Sequence, residues 1–255
     1  MKKIKLKYGR KELEIEIPNH AKILTPETNP PQNDELELLT LSLDNPIDSP
    51  KLENFINPND KVLIIVPDKT RKARIDFVLK ILLERIRRSK IKILFANGTH
   101  AKQNEFEKIE ILGDEIYNSF EIFEHDAYNG DFIYFGKTKR GTEIFLNKLV
   151  SEADKIILVG SITHHYFAGA GGGAKMLIPG VASYKTAIQN HKLTLTPDGD
   201  INPDATNLKF EGNPVYEDII EAFKITGLKT LHLGVILDEN DKICASFFRR
   251  CCLFA

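Results

Sequence analysis

Three short, apolar-rich runs constrain this chain more than any other feature: Val62–Val66, which is continuous, and Ile91–Ala96 and Lys155–Gly160, each with one lysine. A strand exposed on one face alternates apolar and polar residues. A continuous run means burial on both faces, the signature of an inner strand in a parallel sheet. Between the first two runs, Ile75, Val78, Leu79, Leu82 and Ile86 recur at helical spacing within 73–88. Further helices are predicted at about 34–43, 102–112, 146–153, 184–193 and 215–225, and a last strand over 230–237. Residues 120–146 read as short strands turning at Gly130 and Gly141. The opening segment, MKKIKLKYGRKELEIEIP, alternates Ile/Leu with Lys/Glu and reads as a β-hairpin turning at Gly9. The expected fold is α/β: a mostly parallel sheet flanked by helices, with an N-terminal β-hairpin.

Composition narrows the function classes. With 255 residues, 42% of them hydrophobic, the chain can bury a core of one large domain or two small ones. Lys and Arg (35) balance Asp and Glu (36) to a net charge of -1, which argues against a nucleic-acid partner. No apolar run approaches the roughly 20 residues needed to cross a bilayer. The basic N-terminus lacks the apolar stretch of a signal peptide, so a cytoplasmic protein without a membrane partner is expected. Cys244, Cys251 and Cys252 all fall near the carboxyl end, so the body has no disulfide framework.

Each apolar run leads at once into a polar cluster. The first is followed by Pro67-Asp68-Lys69-Thr70-Arg71 and the second by Asn97-Gly98-Thr99-His100. The third is followed by Ser161 to Phe167 and then Ala168-Gly169-Ala170-Gly171-Gly172-Gly173-Ala174-Lys175. Ligands of open parallel sheets bind beyond the carboxyl ends of the strands, so parallel strands would bring all three clusters to one rim. Each cluster also has a plain structural account: Asp68 and Arg71 as a surface ion pair, Gly98-Thr99 as a turn and helix cap, the Gly-rich stretch as a connector. Three coinciding at one rim favour a site. The Gly-rich stretch is not a phosphate loop of the Walker type, because Ala174 and Met176 stand where that loop needs Gly and Ser or Thr. A dinucleotide fingerprint, Gly169-x-Gly171-x-x-Ala174, starts well past the strand end. What remains is small residues that let backbone N–H groups approach an anion beside a lysine. Ser183 reads as a helix N-cap, placing Tyr184, Ala187, Ile188 and His191 on one inward face. A lone inward histidine is more often a satisfied core residue than a ligand. His20, His125 and His232 have no supporting context and are read as structural.

Asp68-x-Thr70-Arg71, Gly98-Thr99-His100 and His165-Tyr166-Phe167-Ala168-Gly169-x-Gly171-Gly172-Gly173-x-Lys175-x-x-x-Pro179-Gly180 together resemble the motifs of the nickel-dependent, nickel-pincer lactate racemase family. The resemblance runs from about Pro46 to Leu237. It implies that Lys175 is joined covalently to a pyridinium-3,5-bisthiocarboxylic acid mononucleotide carrying nickel. Thr70, Gly171, Gly172 and Gly173 would help hold that cofactor, and His191 would ligate the metal. It also implies that His100 and His165 are an acid/base pair, that Arg71 holds a substrate carboxylate, and that Asp68 positions Arg71 or its polar neighbours. The implied substrate is a small 2-hydroxyacid such as lactate, and the implied partners are cofactor-maturation enzymes. The chemistry suits these residue types. A Cα–H beside a carboxylate is too weak an acid for an imidazole of pKa about 6.5. Hydride removal leaves only the hydroxyl proton for a base, a task within reach of histidine.

Some positions depart from the family pattern: Lys72 where Pro is usual, and Ala170 and Ala174 where bulkier residues or Pro are common. The family's longer chains carry a second domain that covers the cofactor. Residues 1–240 are therefore expected to form the N-terminal catalytic domain. Residues 241–255 are expected to be an aberrant tail where the second domain, absent here, would begin. On that expectation a truncated chain racemises negligibly by itself. A non-catalytic nucleotide- or phosphate-binding α/β domain is the alternative. A poorly folding remnant, marked by apolar surface near Phe247 and Phe248, is the third.

Overall fold

The computed structural model describes residues 1–9, 11–24, 34–86 and 88–251. The chain divides into two compact units, Met1–Pro30 and Pro31–Ala255. In the first, strands β1 (Lys2–Tyr8) and β2 (Lys11–Ile17) pair antiparallel from Lys2 opposite Ile17 to Tyr8 opposite Lys11. Gly9 turns at φ +60, a backbone conformation that glycine adopts without strain. This is the expected hairpin, with Lys3–Glu14 and Lys5–Glu12 pairs on its exposed surface.

The second unit begins with helices α1 (Glu35–Asp44) and α2 (Leu52–Phe55). Asp34 caps α1 by accepting the Glu37 N–H at 2.8 Å. Next come β3 (Lys61–Pro67), α3 (Ile75–Ile86) and β4 (Lys90–Ala96). Helices α4 (Glu105–Leu112) and α5 (Asp114–Ser119) lead into β5 (Glu121–Glu124). A ribbon of β6 (Phe132–Lys137) and β7 (Glu143–Asn147), helix α6 (Leu149–Glu152) and strand β8 (Lys155–Ser161) follow. Two short strands, β9 (His164–His165) and β10 (Gly169–Ala170), pair with each other ahead of a 3-10 turn at Gly173–Met176. Helices α7 (Tyr184–His191) and α8 (Pro214–Thr226) and strands β11 (Thr230–Leu237) and β12 (Ile243–Arg250) complete it.

The main sheet runs in the order β12-β11-β8-β3-β4-β5, parallel throughout except for the antiparallel edge strand β12. The apolar runs occupy its centre and bury both faces, as their lack of alternation requires. On one face Val62, Ile64, Val66 and Phe95 pack with Leu39, Val78, Leu79 and Leu82; on the other Leu63, Ile65, Ile156 and Leu158 pack with Leu177, Ile178, Val215 and Ile219. From β3 the chain grows toward β4 and β5 and later, in the opposite direction, toward β8 and β11. The switch point of the topology therefore lies between β3 and β8, where open α/β sheets place their sites.

Strand β12 is a regular element of this sheet, at a place where the sequence suggested a tail. Phe248 is fully buried, and Ser42 of α1 lies 2.8 Å from Ser246, Oγ to Oγ. Among the described residues, no helix is long and apolar enough to cross a membrane.

Candidate active site

The three polar clusters meet in one open cleft of about 700 Å³ above the carboxyl ends of β3, β4 and β8. Its lining includes Asp68, Arg71, His100, His165, Gly171, Gly172, Lys175 and His191, so His100 and His165 lie on the same side of the domain. Two of the expected site residues are not among the lining residues. Thr70 donates its N–H (2.9 Å) and its hydroxyl (2.6 Å) to Asp68 Oδ1. Gly173 is buried and gives its N–H to His232 Nε2 at 3.2 Å.

Asp68, 3% exposed, is the central acid of the cleft. It was expected to position Arg71 or neighbouring groups, or to pair with Arg71 at the surface. The neighbouring group it holds is His100, whose Nδ1 lies 2.5 Å from its Oδ2, while its carbonyl accepts the Arg71 N–H at 3.1 Å. In the neutral ring the carboxylate favours the His100 proton on Nδ1 and leaves Nε2 as a lone pair, the form of a proton acceptor. His165 has the opposite polarity. Its Nδ1 accepts the Ala168 N–H at 3.2 Å, so in the neutral ring the proton sits on Nε2, the form of a donor. The two imidazoles thus differ in protonation geometry before any ligand is bound.

Phe167 joins the remaining groups. His165 lies edge-on to its ring at 4.4 Å and His191 at 5.0 Å, while the Lys175 Nζ sits 5.6 Å from its centroid. Low-dielectric surroundings and neighbouring cations shift all three groups toward neutrality. Burial first, then Arg71, brings the Lys175 amine down to about 7. Burial, with Lys175, Arg71 and His191 adding to it, brings His165 down to about 3. Burial and then Lys175 bring His191 to about 4. A lysine with a large neutral fraction near pH 7 is a nucleophile rather than a counter-ion.

The segment carrying Phe167 is pinned by Asn213, the N-cap of α8. Its Oδ1 accepts from Val215 N and Tyr216 N, while its Nδ2 donates to the carbonyls of Phe167 (3.0 Å), Lys209 (3.1 Å) and Thr206 (3.2 Å). Removing it deletes a cap and takes a donor from three part-buried carbonyls. Asn213→Ala should therefore lower the free energy of urea unfolding by about 3 kcal/mol. Asn213→Asp keeps the cap and loses the donors, and should fall between. A loss under about 1 kcal/mol for the alanine variant would mean that water replaces these bonds.

Helix α7 differs in detail from its expected face. Ser183 is the N-cap, accepting from Thr186 N at 3.3 Å. The buried face is Thr186, Ala187 and Asn190, and Tyr184 points outward to stack on Tyr128. Two polar residues face inward with their donors satisfied: the Thr186 hydroxyl donates to the Glu143 carbonyl at 2.7 Å, and Asn190 Nδ2 donates to buried Asp218 at 2.9 Å. His191, next along the helix, is thereby turned toward Phe167 and the cleft. His125 is structural as expected, its Nε2 2.9 Å from the Ala182 carbonyl.

Comparison with known proteins agrees with this geometry. The profile of the lactate racemase N-terminal domain matches residues 8–201. The chain belongs to that family. It is 34% identical over 220 residues to lactate racemase of Lactiplantibacillus plantarum, covering 84% of this chain and 50% of that protein. It is 29% identical over 259 residues to the lactate racemase of Thermoanaerobacterium thermosaccharolyticum, covering 97% and 59%. The structure of the lactate racemase apoprotein from the latter organism superposes with a TM-score of 0.83 at 28% identity, over 98% of this chain and 59% of that one. A protein from Thermotoga maritima, 20% identical with a TM-score of 0.62 over 84% of this chain and 53% of its own, shares the fold. The chain therefore spans between half and three-fifths of the length of the curated relatives it matches.

Proposed function

We propose that this chain supplies the catalytic half of a nickel-dependent racemase or epimerase of 2-hydroxyacids of the lactate type. It would work in the cytoplasm after loading by cofactor-maturation enzymes. The observation that carries this reading is the convergence on Phe167 of Lys175, His165 and His191, in a cleft shared with Arg71 and the Asp68–His100 pair. The residues fit a covalently held nickel-pincer nucleotide. Lys175 offers a desolvated amine without the charge that would keep it from forming an amide bond. His191 offers one imidazole, a good nickel ligand, and the remaining donors would come from the group itself. Gly171 and Gly172 line the cleft where no side chain would fit, since a Cβ would lie 2.8 Å from Thr163 Oγ1 on the first and 2.9 Å from the Ser161 carbonyl on the second. When bound, the group would supply a hydride acceptor for the substrate Cα–H.

The protein's own residues do the rest. Arg71 receives the carboxylate and fixes the distance of Cα from Lys175. His100, held by Asp68, takes the hydroxyl proton from a substrate of one hand. For the return step His165 must first take up a second proton and give it back as the imidazolium; unprotonated, it takes the base role for the other hand. An anionic substrate offsets the cations around His165 and raises its basicity when it is needed.

The reading is tested by mass spectrometry of protein co-produced with cofactor-making enzymes. The Lys175 peptide should carry a mass increase that survives denaturation and vanishes in Lys175→Ala. His191→Ala should keep the increase but lose nickel. An unmodified Lys175 peptide in folded protein would leave only the binding-domain reading.

A further inference from the structure

The peptide group between Gly172 and Gly173 is the last backbone unit before the turn that presents Lys175. Gly172 has φ +83 and Gly173 has φ +56, so glycine stands on both sides and no Cβ resists a flip of this peptide. It is held from both ends instead. The Gly172 carbonyl accepts the Lys175 N–H at 3.3 Å, and the Gly173 N–H donates to His232 Nε2 at 3.2 Å.

His232 lies in the middle of β11, opposite Leu158 of β8 and Arg249 of β12, and is 1% exposed. Its ring is seated by small residues. A Cβ on Gly172 would lie 3.5 Å from Cε1 and Nε2, and a Cβ on Gly234 would lie 2.9 Å from Cε1. To accept a backbone N–H, Nε2 must be unprotonated, which puts the proton on Nδ1. Burial, reinforced by the charge of Arg249, brings this imidazole down to about 4 and keeps it neutral in ordinary buffers.

We infer that His232 is a positioning residue: its neutral imidazole locks the Gly172–Gly173 peptide, and through the Gly172 carbonyl fixes the direction in which Lys175 presents its amine. This rests on the reading of Lys175 as the attachment point, and it is tested without any cofactor. Without the lock the peptide is free to rotate. The lysine then relaxes toward water and regains the charge that makes it unreactive. An apolar side chain of similar size, His232→Leu, removes the acceptor. His232→Gln restores a carbonyl oxygen near the position of Nε2.

Unloaded protein is labelled with trace acetic anhydride at pH 7, and the Lys175 peptide is quantified against exposed Lys185. Labelling of Lys175 should fall about fivefold in His232→Leu, the worth of one hydrogen bond, and return to within about twofold of the parent in His232→Gln. Hydrogen exchange at the Gly173 amide should quicken in the leucine variant alone. Parent-like labelling in His232→Leu overturns the inference. Equal loss in both variants overturns it as well, because ring shape and not the acceptor would then matter. Should the leucine variant fail to fold, long-range ¹H–¹⁵N spectra of the parent decide: Nδ1 protonated and Nε2 bare supports the lock, and any other form at pH 7 removes it. If these results hold while the Lys175 peptide of co-produced protein stays unmodified, the functional reading fails and the positioning role stands.

Discussion

Asp68→Asn is expected to lower the turnover of cofactor-loaded protein by about 10²- to 10⁴-fold while leaving the fold and the loading of Lys175 intact. The asparagine is nearly the same shape, and its carbonyl can still accept from Thr70, as Asp68 Oδ1 does at 2.9 and 2.6 Å. What changes is the other atom. The Oδ2 that lies 2.5 Å from His100 Nδ1 becomes an NH₂ group. Two donors cannot face each other, so His100 moves its proton to Nε2 and presents a donor where a base is required. His100→Ala should lose a similar factor, and the double variant should lose little more than either alone, because the two residues act as a unit. Interconversion of the lactate enantiomers, followed by chiral chromatography in both directions, gives the rates. An Asp68→Asn enzyme within about threefold of the parent would show that Asp68 does not set the tautomer of His100.

Much of this site could be read from the chain because it hangs on the strongest signals of the fold. Val62–Val66, Ile91–Ala96 and Lys155–Gly160 are apolar apart from Lys92 and Lys155, and do not keep up the alternation of a half-exposed strand. A chain of this kind can bury them only in the middle of a parallel sheet. Once they are neighbours, the residues that follow each run share one rim, and Asp68, Arg71, His100 and His165 are brought together by topology. The choice of partner was not legible. Asp68 and Arg71 are close in sequence and suggest a pair, whereas the partner chosen is His100, delivered by the next strand.

Strand β12 was obscured by composition, since Cys, Phe and Arg differ from the Lys/Glu/Ile pattern before them. An antiparallel edge strand covered by α1 needs no such pattern. Helix α5 was missed because it is short and begins directly after the Gly113 that ends α4. His232 went unrecognised although a signal was present. A histidine inside the apolar strand Thr230–Leu237 has to find a polar partner once buried, and Gly234, next on the same face, marks the space its ring fills.

Arg71→Ala should raise the KM for a hydroxyacid by about 100-fold and weaken carboxylate inhibitors to match. Among the described residues lining the cleft, Asp68 is the one carboxylate, and it is committed to His100 and Thr70. Arg71, Lys175, His165 and His191 face the same space, so the cleft carries more potential positive charge than negative and favours an anion. Of these, Arg71 carries a planar fork that can grip both oxygens of a carboxylate. Arg71→Lys restores charge without the fork and should recover only part of the affinity. Removing Arg71 also removes a cation that holds the amine of Lys175 and the ring of His165 toward neutrality, so both should become easier to protonate. The affected step can be isolated with lactamide, which has the hydroxyl but no carboxylate. The parent should bind lactate far better than lactamide, and Arg71→Ala should bind the two nearly alike. If the preference survives the substitution, another cation receives the carboxylate, and Arg71 serves the cleft only through its field.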